Sequence, residues 1–148
     1  MSEKTIDLKH LYETDYMQWL EAMIYRLKNH QFNDLDAENL IEELEALGRS
    51  ERNAVESLVI KLIQHLLLYQ YGAVEQDYNR KHWHIEIVAF RTQIELKMTT
   101  NLRNYLLERL DYLYAKAKKI AELKSDLSLP LINPYSLEQI LDEDWLPE

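Results

Sequence analysis

No proline occurs before Pro130, and the 148-residue chain holds only two glycines, Gly48 and Gly72. A sheet protein of this length needs many tight turns, and those draw on glycine and proline. A chain so poor in both is better suited to long helices joined by a few polar connections. Hydrophobic residues make up 47% of it, enough to bury a core and to argue against wholesale disorder. The length is that of one domain.

Apolar periodicity divides the chain into helices. Tyr12, Tyr16, Trp19, Leu20, Met23 and Leu27 share a stripe, which predicts a first helix from Thr14 or Asp15 to Lys28 after an N-terminal arm over 1–13. One of those two residues serves as its cap. A second helix, Asp36 to Leu47, is capped by Asp36 and places Leu40, Ile41, Leu44 and Leu47 together. Glu38, Glu42 and Glu45 fall on its wet face, Glu43 at the edge of its apolar stripe. Gly48 can end that helix in a left-handed turn.

From Ser50 to Tyr71, Val55, Leu58, Val59, Leu62, Leu66 and Tyr69 form a stripe that Ile60, Ile63 and Leu67 widen. A helix apolar over so much of its circumference is central or lies at a subunit interface. Because glycine costs only about 1 kcal/mol inside a helix, the second and third helices form either two rods or one bent rod. A connection at Glu75 to Lys81 leads to helices over 82–98 and 101–124.

The tail from Ser125 contains Pro130 and Pro134, and Ser136 with Gln139 forms a capping box over Leu137, Ile140 and Leu141. Trp145, Leu146 and Pro147 are expected to pack back on the bundle. The fold expected is all-α: a single-domain antiparallel bundle of four to five helices over 14–124, with a tail over 125–148 carrying a short docked helix.

A net charge of −9 argues against broad nucleic-acid binding. The local basic groups, Arg103 with Arg109 and Lys116 with Lys118 and Lys119, sit among acids and read as solvated faces. There is no cysteine, so no thiolate chemistry. The start lacks the apolar core of a signal peptide, and the apolar run at Leu66–Leu68 falls far short of the roughly 20 residues of a membrane span. The expected setting is cytoplasmic. No phosphate-binding glycine loop and no Gly-x-Ser-x-Gly elbow is present, and no cofactor is expected.

The landmarks Leu11-Tyr12-Glu13, Asp15, Trp19-Leu20, Asp36, Asn39-Leu40-Ile41-Glu42-Glu43, Glu45 and Gly48-Arg49-Ser50 occur in order. They are followed by Ser57, His65-Leu66-Leu67, Trp83, Arg91, Pro134-Tyr135, Leu137, Ile140-Leu141 and Leu146-Pro147. Together they resemble the bacterial family known as domain of unknown function 29, over nearly the whole chain. The resemblance implies a compact all-helical protein and no assigned activity. Leu68 and Tyr69 stand where a lysine and a tryptophan are usual, His82 replaces a serine, and Thr100-Asn101 replaces a proline–serine pair. A role carried by that lysine is in doubt here.

Candidate chemistry centres on Glu43, His65 and Arg91, each set roughly 80–90° off its helix's apolar stripe, at the rim of the core. Brought together they would form either a half-buried ion network or an acid/base pair with an anion-binding arginine. Glu43 and His65 are also the weak metal candidates, to which Glu42, Glu45, His82 or His84 could be added; the chain lacks the paired Glu-x-x-His motifs of di-iron bundles. Ser57 lies away from His65. Tyr71 and Tyr78 have no place on a core stripe and are candidate surface-binding residues. The leading expectation is a non-catalytic helical interaction module, acting on a protein partner or on itself through the wide apolar belt of 50–71. The alternative is a small hydrolase or nuclease using Glu43, His65 and Arg91, with or without a metal.

Overall fold

A computed structural model describes residues 7–72 and 77–148, with the side chains of Asp77 and Tyr78 also outside the described part. Among the described residues, six α-helices and one 3-10 turn make up the regular structure and no strand occurs. The helices are α1 (Leu8–Thr14), α2 (Tyr16–Lys28), α3 (Ala37–Tyr71), α4 (Asp77–Lys97), α5 (Thr100–Ser125) and α6 (Leu137–Leu141). The chain is organised in two compact units, Met1–Ser50 and Glu51–Glu148.

In the first unit, residues expected to form an arm contain α1. Asp7 caps it by accepting a hydrogen bond from the His10 amide at 3.2 Å. Asp15 both ends α1 and caps α2, accepting from the Gln18 amide at 3.1 Å. Its non-helical backbone, φ −148° and ψ 85°, breaks the helix between two apolar segments that share one periodicity. A 3-10 turn at Phe32–Asp34 then leads into α3.

The helix α3 settles the question of two rods or one: it runs unbroken for 35 residues through Gly48. Gly48 has no positive φ, so the expected left-handed stop does not form. The physical reason is one of magnitude. Glycine in a helix costs about 1 kcal/mol, whereas a break strands up to eight backbone groups that need new partners.

In the second unit, the wide apolar belt of α3 is central. Val55, Val59, Leu62, Ile63, Leu66 and Leu67 are all fully buried. Against them pack Ile87 and Ile94 of α4 and Leu106, Leu113, Tyr114, Ala117 and Ala121 of α5. α4 starts at Asp77, so the end of the expected polar connection is helical. Thr99 caps α5 through the Leu102 amide at 3.1 Å, and Asp126 closes it in the left-handed conformation.

The proline-containing tail is part of this core: Leu129, Tyr135, Leu137 and Ile140 are buried, with Trp145 and Leu146 packed beside them. The capping box forms in both directions, Gln139 N–H to Ser136 Oγ at 3.1 Å and Ser136 N–H to Gln139 Oε1 at 3.0 Å. The Tyr135 hydroxyl reaches Gln70 Oε1 at 2.6 Å, and the Tyr114 hydroxyl donates to the Pro130 carbonyl.

The two glycines predict opposite outcomes in chemical denaturation. A Cβ at Gly48 would meet nothing within 4 Å, so Gly48→Ala stabilises the protein by about 0.5–1 kcal/mol. A Cβ at Gly72 would sit 2.7 Å from two carbons of the Trp83 ring and still closer to the Leu68 carbonyl. Gly72→Ala therefore destabilises by about 1–3 kcal/mol.

Candidate functional site

The most elaborate polar arrangement in the first unit surrounds Glu43, whose offset from the apolar stripe turns it toward α1 and α2. The Tyr12 hydroxyl donates to Glu43 Oε1, and the Tyr16 hydroxyl to Oε2 at 2.6 Å. Both rings lean on Trp19, Tyr12 edge-on at 4.8 Å and Tyr16 stacked at 5.9 Å between centroids. Trp19 is completely buried, and its indole N–H donates to Asp36 Oδ2 at 3.1 Å, an oxygen that also accepts from Asn39 Nδ2 at 2.7 Å. Asp36, read from sequence as a cap, is here a buried acceptor for two side chains.

Electrostatics hold this cluster in a single protonation state. Hydrogen bonds from Tyr12 and then Tyr16 lower the Glu43 carboxyl below its ordinary 4.5. The same bond to Glu43, followed by desolvation, pushes Tyr12 up to about 12, and Tyr16 rises for the same reasons. At neutral pH the carboxylate is ionised and both phenols are protonated, which suits a clamp and not a proton shuttle.

The other two candidate residues have separate partners in the second unit. His65 Nδ1 donates to the Lys61 carbonyl at 2.7 Å, since a carbonyl can only accept, and its ring lies edge-on to Phe90 at 5.1 Å. Burial lowers its pKa and keeps the ring neutral. Arg91 is only 6% exposed; its Nε donates to the Ile140 carbonyl at 2.8 Å and Nη2 to the Gln139 carbonyl at 3.1 Å. These bonds tie α4 to the last turn of α6. Arg91 stays cationic although burial lowers its pKa.

No hydrogen bond or ion pair joins any two of Glu43, His65 and Arg91 among the described residues. Glu43 and His65 are 22 positions apart on one helix, about six turns. The additional metal candidates are also dispersed: Glu42 and Glu45 are exposed, Glu45 faces Arg49 at 3.9 Å, and His84 lies edge-on to Tyr69 at 6.2 Å. Among the described residues no three His, Asp or Glu side chains are grouped as metal ligands.

Three residues of the two basic groups are paired with acids, and Lys116 lies over the Tyr112 ring at 5.5 Å. Arg109 Nε binds Glu56 at 2.6 Å and lies over Tyr112 at 4.3 Å, Lys118 bonds Glu122, and Arg103 approaches Glu138 at 4.0 Å. Tyr71 is exposed at the end of α3; the side chain of Tyr78 lies outside the described residues. The residues that sequence reasoning missed are Tyr12, Tyr16 and Trp19, whose polar tips were hidden on an apolar stripe. The signal available was their spacing, four and then three residues apart.

The family model described as "Domain of unknown function DUF29" matches residues 11–146, and the chain belongs to that family. No curated protein and no solved structure matches the chain. Among the described residues no helix is long and apolar enough to cross a membrane.

The clamp has a defined pH window. The lowered carboxyl contributes stability that is full above pH 4.5 and is lost as pH falls through its lower folded value. The raised phenol contributes stability that is full below pH 10 and is lost as pH rises through about 12. Phenolate absorbance therefore shows Tyr12 and Tyr114 both titrating near 12, and Glu43→Gln brings one of the two, Tyr12, back toward 10. An unchanged titration in the variant contradicts the clamp.

Proposed function

We propose that the protein is a non-catalytic helical interaction module whose docking face is the apolar flank of the first unit, and whose simplest partner is a second copy of that flank. One observation carries this reading: Ile41, Leu44 and Leu47 on α3 are 55%, 60% and 61% exposed. Sequence periodicity marked this stripe as a packing face. The belt expected to serve as the interface, 50–71, is instead occupied by the core.

The geometry of the unit explains why the stripe is free. Trp19 bonds Asp36 while Tyr16 bonds Glu43, two turns further along α3, so α2 and α3 run antiparallel. In such a pair, helical-wheel positions put Met17 and Ile24 of α2 on the same side as Ile41 and Leu44. Those two α2 residues are exposed as well. α1 covers the opposite flank, where Lys9 reaches Glu38 at 3.1 Å. A two-helix layer with one open apolar side lacks the second layer that ordinarily buries it. Two such hairpins face to face supply it, as a four-helix arrangement with two-fold symmetry.

The alternative stays a small hydrolase or nuclease using Glu43, His65 and Arg91, each of which has its own contacts in its unit. Light scattering on size-exclusion peaks tests the module. The full chain is expected to form a dimer that dissociates on dilution, and Leu44→Glu to be monomeric with unchanged helicity. Leu44→Ala weakens association by about 1–2 kcal/mol, roughly tenfold in Kd. A wild-type chain that stays monomeric at every concentration contradicts self-association.

A further inference from the structure

A cavity of about 300 Å³ lies among α4, the start of α5 and the end of α6, within the second unit. That size is at the lower end of the range for small-molecule sites. One face of α4 forms its wall with Arg91, Ile94 and Glu95 at helical spacing, and Met98, just past the helix end, and Leu141 complete the apolar part.

The charges around it are unusual in what they leave unpaired. Arg91 is almost fully buried, yet it forms no ion pair with a carboxylate among the described residues. Two of its nitrogens are used on carbonyls, no hydrogen bond is made by Nη1 among the described residues, and the nearby carboxylates of Asp142 and Asp144 act on its charge only through space. Glu95, one turn along the same helix and suitably spaced for an ion pair, does not make one with it. Arg103 lines the cavity from α5, held only loosely by Glu138 at 4.0 Å. Glu143 adds a second carboxylate at the exposed rim.

A simple anion would gain from the two guanidinium groups but meet both glutamates. A simple amine would meet the reverse. A molecule with a carboxylate and an ammonium one carbon apart satisfies an arginine and a glutamate set one helical turn apart. The geometry points to this cavity as a binding site for a free α-amino acid with an apolar side chain. In that arrangement the carboxylate lies toward Arg91 and Arg103, the ammonium toward Glu95, and the side chain against Met98 and Leu141.

Titration calorimetry on the full chain tests this with L-leucine and L-methionine. The comparison ligands are 4-methylpentanoate, which lacks the ammonium, and 3-methylbutylamine, which lacks the carboxylate. At least one of the two amino acids should bind saturably, and each comparison ligand should bind at least about tenfold more weakly. Arg91 also anchors α6, so the variants are the rim substitutions Glu95→Gln and Arg103→Gln. Glu95→Gln should weaken the amino acid about tenfold while 4-methylpentanoate, freed of one repelling carboxylate, binds no more weakly than before, and Arg103→Gln should weaken both. Three results overturn the site: no saturable binding of either amino acid, a comparison ligand that binds as well as they do, or Glu95→Gln without effect on them.

Discussion

A backbone hydrogen-bond ladder that passes Gly48 without a break is the constraint on which the rest of the molecule depends. It carries two segments with different surfaces, one in each unit, and sets the helical spacing of the side chains within each. Asp36, Asn39 and Glu43 then share one face at the amino-terminal end, while Val55, Val59, Leu62 and Leu66 share one in the second unit. The price of continuity is one glycine's worth of helix propensity, small beside the capping that a break demands.

The two segments solve burial differently. Beyond Ser50 the helix is apolar around most of its circumference, so it must be enclosed, and α4, α5 and the tail enclose it. The tail stays in place because buried Tyr135, Leu137 and Ile140 are reinforced by Arg91, which satisfies two carbonyls at the end of α6. Before Ser50 the helix is gripped mainly through hydrogen bonds from aromatic tips to carboxylates, around a small core of Trp19 and Met23. A grip of this kind uses the acidic side of the helix, and the leucines are left outside it. That inversion creates the flank proposed for docking.

The same inversion separates what could be read in the sequence from what could not. Helix periodicity, the Asp15 and Ser136 caps and the core stripe from Val55 to Leu66 were legible, because each depends on residues within a few positions of one another. The environment of Asp36 to Leu47 was not. Its apolar stripe looked like the packing face, but tyrosine hydroxyls 27 and 31 positions away recruit Glu43 and select another face. For the candidate site, the rim positions of Glu43 and Arg91 were visible on a helical wheel. Their partners were not: Arg91 bonds carbonyls 48 and 49 residues on, and a backbone acceptor leaves no trace in side-chain pattern. Gly48 misled because propensity marks where a helix can end, not whether ending it there lowers the free energy.

The account's central claim is that α3 is enclosed in its second segment and bare along one flank of its first. Hydrogen–deuterium exchange followed at several protein concentrations reads both properties from one helix. Amides from Val55 to Leu67 should exchange slowly and identically at every concentration, while those from Ile41 to Leu47 should exchange faster when dilute and slow markedly as concentration rises. Exchange across Ile41–Leu47 that does not respond to concentration would contradict it.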